Sequence, residues 1–161
     1  MKKLIPSEAK KIALDIFTKA DLIDRGEFLL VHSEKVSRVA RMIAQKLEIS
    51  DEVFEIAGWV HDIGYAKDFE NHADFAIPTL KELGYGVSDI LEDCILNHGN
   101  GKSPKTTEGK IFQVADKLSI FDADIIEGIL KNGSFPLRDD DINFLKMMSE
   151  NALKLVKNFS K

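Results

Sequence analysis

WVHDIG (residues 59–64) sets an imidazole and a carboxylate side by side, His61 and Asp62, at the end of a mostly apolar segment, and follows them with a glycine. The segment reads as a helix over 51–62, with Ser50 as N-cap and Asp51 and Glu52 in its first turn. A polar helix terminus alone would account for the pair. The alternative is a metal site whose other members come from distant parts of the chain, with Gly64 letting the backbone turn closely behind the two side chains.

Outward from this stretch the periodicity is helical. Residues 28–48 carry His32, Val36, Val39, Ile43 and Leu47 at steps of three and four, the most regular amphipathic run in the chain. A first helix is expected over 7–20, with Pro6 and Ser7 suited to its start. Asn71 can cap a helix over 72–83 that ends at Gly84, and Pro78 should kink it or split it in two. Further helices are expected over 87–98, 107–119, 121–131 and 139–159, separated by the polar loop GNGKSPKTT and the break NGSFPLRDDD. No segment alternates as a strand does, and nothing repeats. The expected fold is all-α, a bundle of about seven or eight helices in one domain spanning 1–161.

Bulk properties narrow the function. With 161 residues, 44% of them apolar, the chain can build one substantial core. A net charge of -5 gives no dense basic face for nucleic acid or anionic lipid, so neither is expected as a partner. A small phosphorylated substrate, such as a nucleotide, needs only a local basic pocket or a metal. The single cysteine, Cys94, excludes an internal disulfide framework and thiolate zinc sites and fits a reducing compartment. MKKLIPSEAKK carries no long apolar run, and no segment approaches the length of a membrane span, so a cytoplasmic location is expected. Oligomeric state is left open.

The four histidines, His32, His61, His72 and His98, each fall near an expected helix end or on an apolar face, and Asp116 follows Val114 and Ala115. A carboxylate in apolar surroundings is costly unless it is paired, hydrogen-bonded or bound to metal. Each residue has an ordinary explanation. His32 can be a hydrogen-bonded, half-buried histidine, His72 a first-turn surface residue and His98 a helix end beside Gly99, while Asp116 can pair with Lys117. A His/Asp cluster around one or two divalent cations accounts for all of them together, since imidazole and carboxylate suit such ions. GNGKS (99–103) is not a phosphate loop: a Walker A motif needs glycine where Leu96 stands, and no strand precedes it.

The order His32, His61–Asp62, His72, His98, Asp116 resembles the HD-domain metal-dependent phosphohydrolases, in the branch whose central motif is H-D-I-G. The stretches that carry the likeness are VHSEKVSRVA (31–40), WVHDIG (59–64), NHADFA (71–76), ILNHGNG (95–101) and IFQVADKLS (111–119). They cover a family-like core of about 28–120, with further C-terminal helices over 121–159. The resemblance implies a helical core in which His32, His61, Asp62 and Asp116 bind one divalent metal. In binuclear members two more histidines hold a second ion and the aspartate of the pair bridges; His72 and His98 stand at those positions. A weaker resemblance is to the small bacterial HD hydrolases of dinucleoside tetraphosphates.

The function expected is therefore a metal-dependent phosphohydrolase in which metal-activated water cleaves a nucleotide or related phosphoester or phosphoanhydride. Fe, Mn, Ni, Co and Mg all remain open, with several imidazoles making Mg alone less attractive. Asp62 carries the catalytic role of bridge. Lys117 and Lys67 are candidates for contact with a substrate phosphate, each with an ion pair or a solvated surface position as its alternative, and Arg25 and Lys102 are weaker candidates. Two other functions compete: a regulatory helical domain that binds metal without turnover, and a di-iron oxygenase. The second lacks the repeated Glu-x-x-His pattern of ferritin-like sites.

Overall fold

The computed structural model describes residues 1–20, 22, 25–121 and 139–159. Among them are seven α-helices: α1 (Pro6–Lys19), α2 (Gly26–Lys46), α3 (Glu52–Val60), α4 (His72–Glu82), α5 (Asp89–Leu96), α6 (Thr107–Leu118) and α7 (Asp139–Phe159). Short 3₁₀ turns follow α3 (Ile63–Ala66) and α6 (Ser119–Phe121). The all-α expectation holds, and the helix expected over 121–131 lies, apart from Phe121, outside the described residues.

The core is built where α3 is enclosed. Phe54, Ala57 and Val60 of α3 are fully buried, packing with Val36, Ala40 and Ala44 of α2, Ala9 and Ala13 of α1, and Ile111, Phe112 and Ala115 of α6 in one cluster. The crossing of α2 and α3 is close because Gly58 has no side chain: a Cβ there would lie 2.4 Å from Ser37 Cα. Burying these apolar faces stabilises the fold by roughly 25 cal/mol per Å² removed from water. Each helix therefore owes its place more to its apolar face than to its intrinsic propensity.

Several local expectations are corrected. The helix expected from 51 with Ser50 as cap begins one residue later, at Glu52, and the N-cap residue is Asp51, whose carboxylate accepts from Arg41 Nε (3.2 Å) and Gln45 Nε2 (2.9 Å) instead of capping its own helix. Asn71 holds the N-cap position of α4, but its side chain makes no cap bond; its Nδ2 donates to Asp68 Oδ1 at 3.3 Å. Pro78 does not split α4, which runs unbroken from His72 to Glu82. One backbone hydrogen bond is lost there because proline has no N–H, and the Thr79 hydroxyl adds a bond to the Phe75 carbonyl at 2.8 Å. A two-stranded parallel pair, β1 (Lys2–Lys3) with β2 (Tyr85–Gly86), ties the N-terminus to the α4–α5 connection. Two residues per strand are too few to show an alternating pattern, so the sequence carries no sign of it.

Candidate metal centre

His61 caps the C-terminus of α3, and Asp62 starts the 3₁₀ turn that follows. His32 comes from the middle of α2, His72 from the first residue of α4, His98 from the loop after α5, and Asp116 from the last turn of α6. Gly64 makes the junction possible through its missing side chain, not through an unusual φ. A Cβ on it would lie 1.8 Å from the His72 carbonyl oxygen, so only glycine lets α4 begin this close to Asp62.

The six side chains meet around the Asp62 carboxylate, and its two oxygens divide them. Oδ2 lies 3.5 Å from His32 Nε2 and 3.3 Å from His61 Nε2. Oδ1 lies 3.2 Å from His72 Nε2 and 3.6 Å from His98 Nε2. Asp116 Oδ1 joins the first group, 3.2 Å from His32 Nε2 and 3.8 Å from His61 Nε2. The histidines also pair within each group, His32 with His61 at 3.2 Å and His72 with His98 at 3.3 Å between Nε2 atoms.

Tautomers decide what this convergence means. His61 Nδ1 faces the Gly58 carbonyl (3.0 Å), His72 Nδ1 that of Phe69 (3.3 Å) and His98 Nδ1 that of Ile95 (2.6 Å). A carbonyl only accepts, so each Nδ1 carries the proton and donates it. His32 Nδ1 faces Ser119 Oγ at 3.4 Å, and that hydroxyl gives its own proton to the Asp116 carbonyl at 2.7 Å, leaving it to accept from His32. In its neutral form each of the four rings would then aim an Nε2 lone pair inward at its neighbours and at two carboxylates. Among the described residues, Asp62 Oδ1 is buried without a hydrogen-bond partner, which suits a site for a cation.

Imidazole nitrogens and carboxylate oxygens at such spacings are suited to a divalent cation. With metal–ligand bonds of about 2.1 Å, neighbouring ligands stand roughly 3.0–3.5 Å apart, the range in which most of these separations fall. His32, His61 and Asp116 form one cluster able to hold an ion, and His61, Asp62 and His98 another. The two His/Asp clusters can coordinate one or two divalent ions, as the sequence led us to expect.

Electrostatics agree with the donor set. Burial opposes ionisation of Asp62, but the His61 imidazole beside it holds its carboxyl well below the usual carboxylate range. Burial likewise opposes ionisation of Asp116, and the adjacent Lys117 ammonium, with His32, holds its carboxyl well below that range. Burial and the neighbouring His61 push His98 down to about 4, so its ring is neutral at physiological pH. His61 is raised: its burial favours the neutral ring, and the Asp62 charge outweighs it. Without metal, a proton on His61 is the protein's own substitute for a cation.

The centre opens into a cavity of about 260 Å³. Lys117, buried, lines it and makes an ion pair with Asp116. Lys67 does not line it; its ammonium pairs with Glu82 at 2.8 Å on the surface. Arg25 stacks on Phe69, 4.5 Å from the ring centre, and Lys102 is exposed; neither lines the cavity.

Four side chains that support the site had no part in the sequence reading. Tyr65 stacks face to face on His72, with ring centres 3.9 Å apart, and Ser119 orients His32. Asp93 accepts from Lys105 N, Thr106 N, Thr106 Oγ1 and Asn97 Nδ2, while Gln113 Nε2 donates to the carbonyls of Asn97, Gly99 and Lys102. Together these two fix the loop that carries His98. Only Tyr65, an aromatic directly after the HDIG motif, had a local signal.

The chain is similar to several known proteins. The chain is 28% identical over 119 residues to a deoxyguanosinetriphosphate triphosphohydrolase-like protein of Caldanaerobacter subterraneus subsp. tengcongensis, covering 62% of this chain and 35% of that protein. It is 33% identical over 97 residues to ribonuclease Y of Fervidobacterium nodosum, covering 58% of this chain and 18% of the relative. The chain thus spans about a third or less of the length of these curated relatives. A crystal structure of a predicted HD superfamily hydrolase from an uncultured Thermotogales bacterium superposes with a TM-score of 0.63 at 20% identity, over 95% of this chain and 90% of the other, and shows a common fold. The sequence model of the HD domain matches residues 29–120, which contain all six converging side chains, and the chain belongs to the HD domain family.

Proposed function

We propose that this protein is a metal-dependent phosphohydrolase that cleaves a nucleotide or related small phosphoester with metal-activated water. One observation carries the reading: four inward Nε2 lone pairs and two ionised carboxylates share a buried site with no proton donor for Asp62 Oδ1. His32, His61, Asp62 and Asp116 would hold one ion, and Asp62, His72 and His98 a second. A divalent ion bound there supplies Lewis acidity, lowering the pKa of water and taking up phosphoryl charge. The protein's own part is orientation. Backbone carbonyls and Ser119 hold the four rings in one tautomer, as the outer partners of metal-binding histidines do. Lys117 keeps Asp116 ionised at the cavity wall, where its ammonium also stands close to an incoming phosphate.

The relatives' names bring two substrate classes, a deoxynucleoside triphosphate and RNA. A small phosphoester is favoured by the confined cavity and the net charge of -5. Among the described residues no helix is long and apolar enough to cross a membrane. With the buried, unpaired Cys94, that agrees with action in the reducing cytoplasm.

The test is metal content of the purified protein, followed by phosphate or p-nitrophenol release from a panel of nucleotides and generic phosphoesters with Mn, Co, Ni, Fe or Mg. Metal-dependent release that Asp62→Ala abolishes is the expected result. Metal uptake with no cleavage across the panel would leave a binding domain in its place.

A further inference from the structure

α7 lies outside the span matched by the family model, yet it forms one wall of the metal cavity. Phe144, Met147 and Met148, one helical turn apart, face the opening beside the metal centre. Among the described residues, no α7 side chain belongs to the main core cluster. Phe144 and Met147 are 44% and 45% exposed, two large apolar groups at the cavity. The same cavity is lined by Phe28, whose ring is parallel to His32 with centres 6.2 Å apart, and by Leu29.

The charge lining the cavity is as uneven as its polarity. Among the described residues Lys117 is the single cationic side chain on the wall, and Asp116 already holds it. Asp62 and Asp116 outnumber it, so on the lining itself a substrate anion meets a fixed Lys or Arg charge only at Lys117, beside Asp116. Arg25, which stacks on Phe69, and Lys102, beside Gly99, do not line the cavity.

Resting on the hydrolase reading above, we infer that the substrate is a monoester with one phosphoryl group at the metal centre and an apolar, ring-bearing leaving group between Phe28 and the Phe144–Met147 face. Neither a triphosphate nor an extended polynucleotide matches this division. Flat rings gain from an aromatic wall, and methionines adapt to the ring that arrives. Phe144 and Met147 are then specificity-determining residues: they touch the leaving group and leave the metal-binding residues alone.

Non-hydrolysable probes separate this from catalysis. Phenylphosphonate, methylphosphonate and tripolyphosphate are titrated calorimetrically into Mn-loaded full-length protein and into Phe144→Ala and Met147→Ala, with circular dichroism to confirm folding. The expected result is phenylphosphonate binding about tenfold tighter than methylphosphonate. That preference falls to near parity in either variant, while methylphosphonate affinity is unchanged. Equal affinity of the two phosphonates, a preference that survives both substitutions, or tighter binding of tripolyphosphate than of phenylphosphonate would overturn the inference. Turnover plays no part in these titrations, so they decide the leaving-group pocket separately from the phosphate-release assay that decides the hydrolase reading.

Discussion

At the scale of single residues, Asp62 organises the site because its two oxygens face different histidine pairs. The proposed two-ion assignment predicts distinct metal stoichiometries. On it, His72→Ala and His98→Ala should each lose one ion and retain the one at His32, His61 and Asp116, whereas Asp62→Ala should lose both. Metal analysis by mass spectrometry of protein reconstituted with excess Mn reads the difference directly; equal stoichiometry in all three variants would contradict the division. Proton competition supplies a second prediction. His61 is raised above its ordinary value and carries a proton in the metal-free protein at pH 6, whereas His98, pushed down to about 4, does not. A protonated ring cannot ligate, so metal affinity should rise as the pH climbs through the raised His61 value. Calorimetry in two buffers of different ionisation enthalpy should find release of about one proton per protein at pH 6, falling once the pH passes the raised His61 value. The residues of this centre were legible in the sequence because chemistry restricts them to His and Asp in a fixed order. Lys67 was not, since the sequence could not show that Glu82 stands one helix away to pair with it.

Among elements, the α5–α6 connection shows how a metal ligand in a loop is kept in place. Asp93 joins the end of α5 to the first turn of α6, with Thr106 capping that turn through Gly109 N at 2.9 Å. Asp93→Ala leaves several buried donors unpaired, and it should cost about 2–3 kcal/mol in urea unfolding. The sign with pH follows. Burial raises the Asp93 carboxyl, but the Thr106 and Lys105 hydrogen bonds outweigh it and leave the net value lowered. Its stabilisation is present above the unfolded-state value and is lost as the pH falls through the folded one. Asp93→Asn should therefore show a flatter acid limb than the parent protein. None of this was readable in the sequence, because Asp93 acts on residues twelve and thirteen positions away. The helices themselves were readable, since periodicity is a local signal, but their caps were less so. Asp51 is turned from its own helix by Arg41 and Gln45, partners supplied by α2 packing.

For the whole molecule, the unfavourable part of the fold is concentrated at one point. Four imidazoles and two carboxylates, mostly buried, are pressed together where the cluster of α1, α2, α3 and α6 is otherwise apolar. An all-α bundle was legible because every apolar stripe in the chain has a helical period. The way α7 folds back over the cavity was not, since nothing in its pattern says which face of the bundle it meets. Metal linkage follows from the same arrangement: the unfolded chain has no preformed site, so binding free energy adds to folding free energy. At metal concentrations a hundredfold above the dissociation constant the gain is about 2.7 kcal/mol per site. For a chain of this size that corresponds to roughly 5–10 °C in Tm. Thermal melts should show that rise with Mn over EDTA in the parent protein and none in Asp62→Ala. If His72→Ala keeps its first site, it should retain a smaller shift, because one ion would still relieve the His32, His61 and Asp116 cluster. An identical melting curve with and without metal in the parent protein would mean that the folded chain tolerates the buried lone pairs by protonation alone.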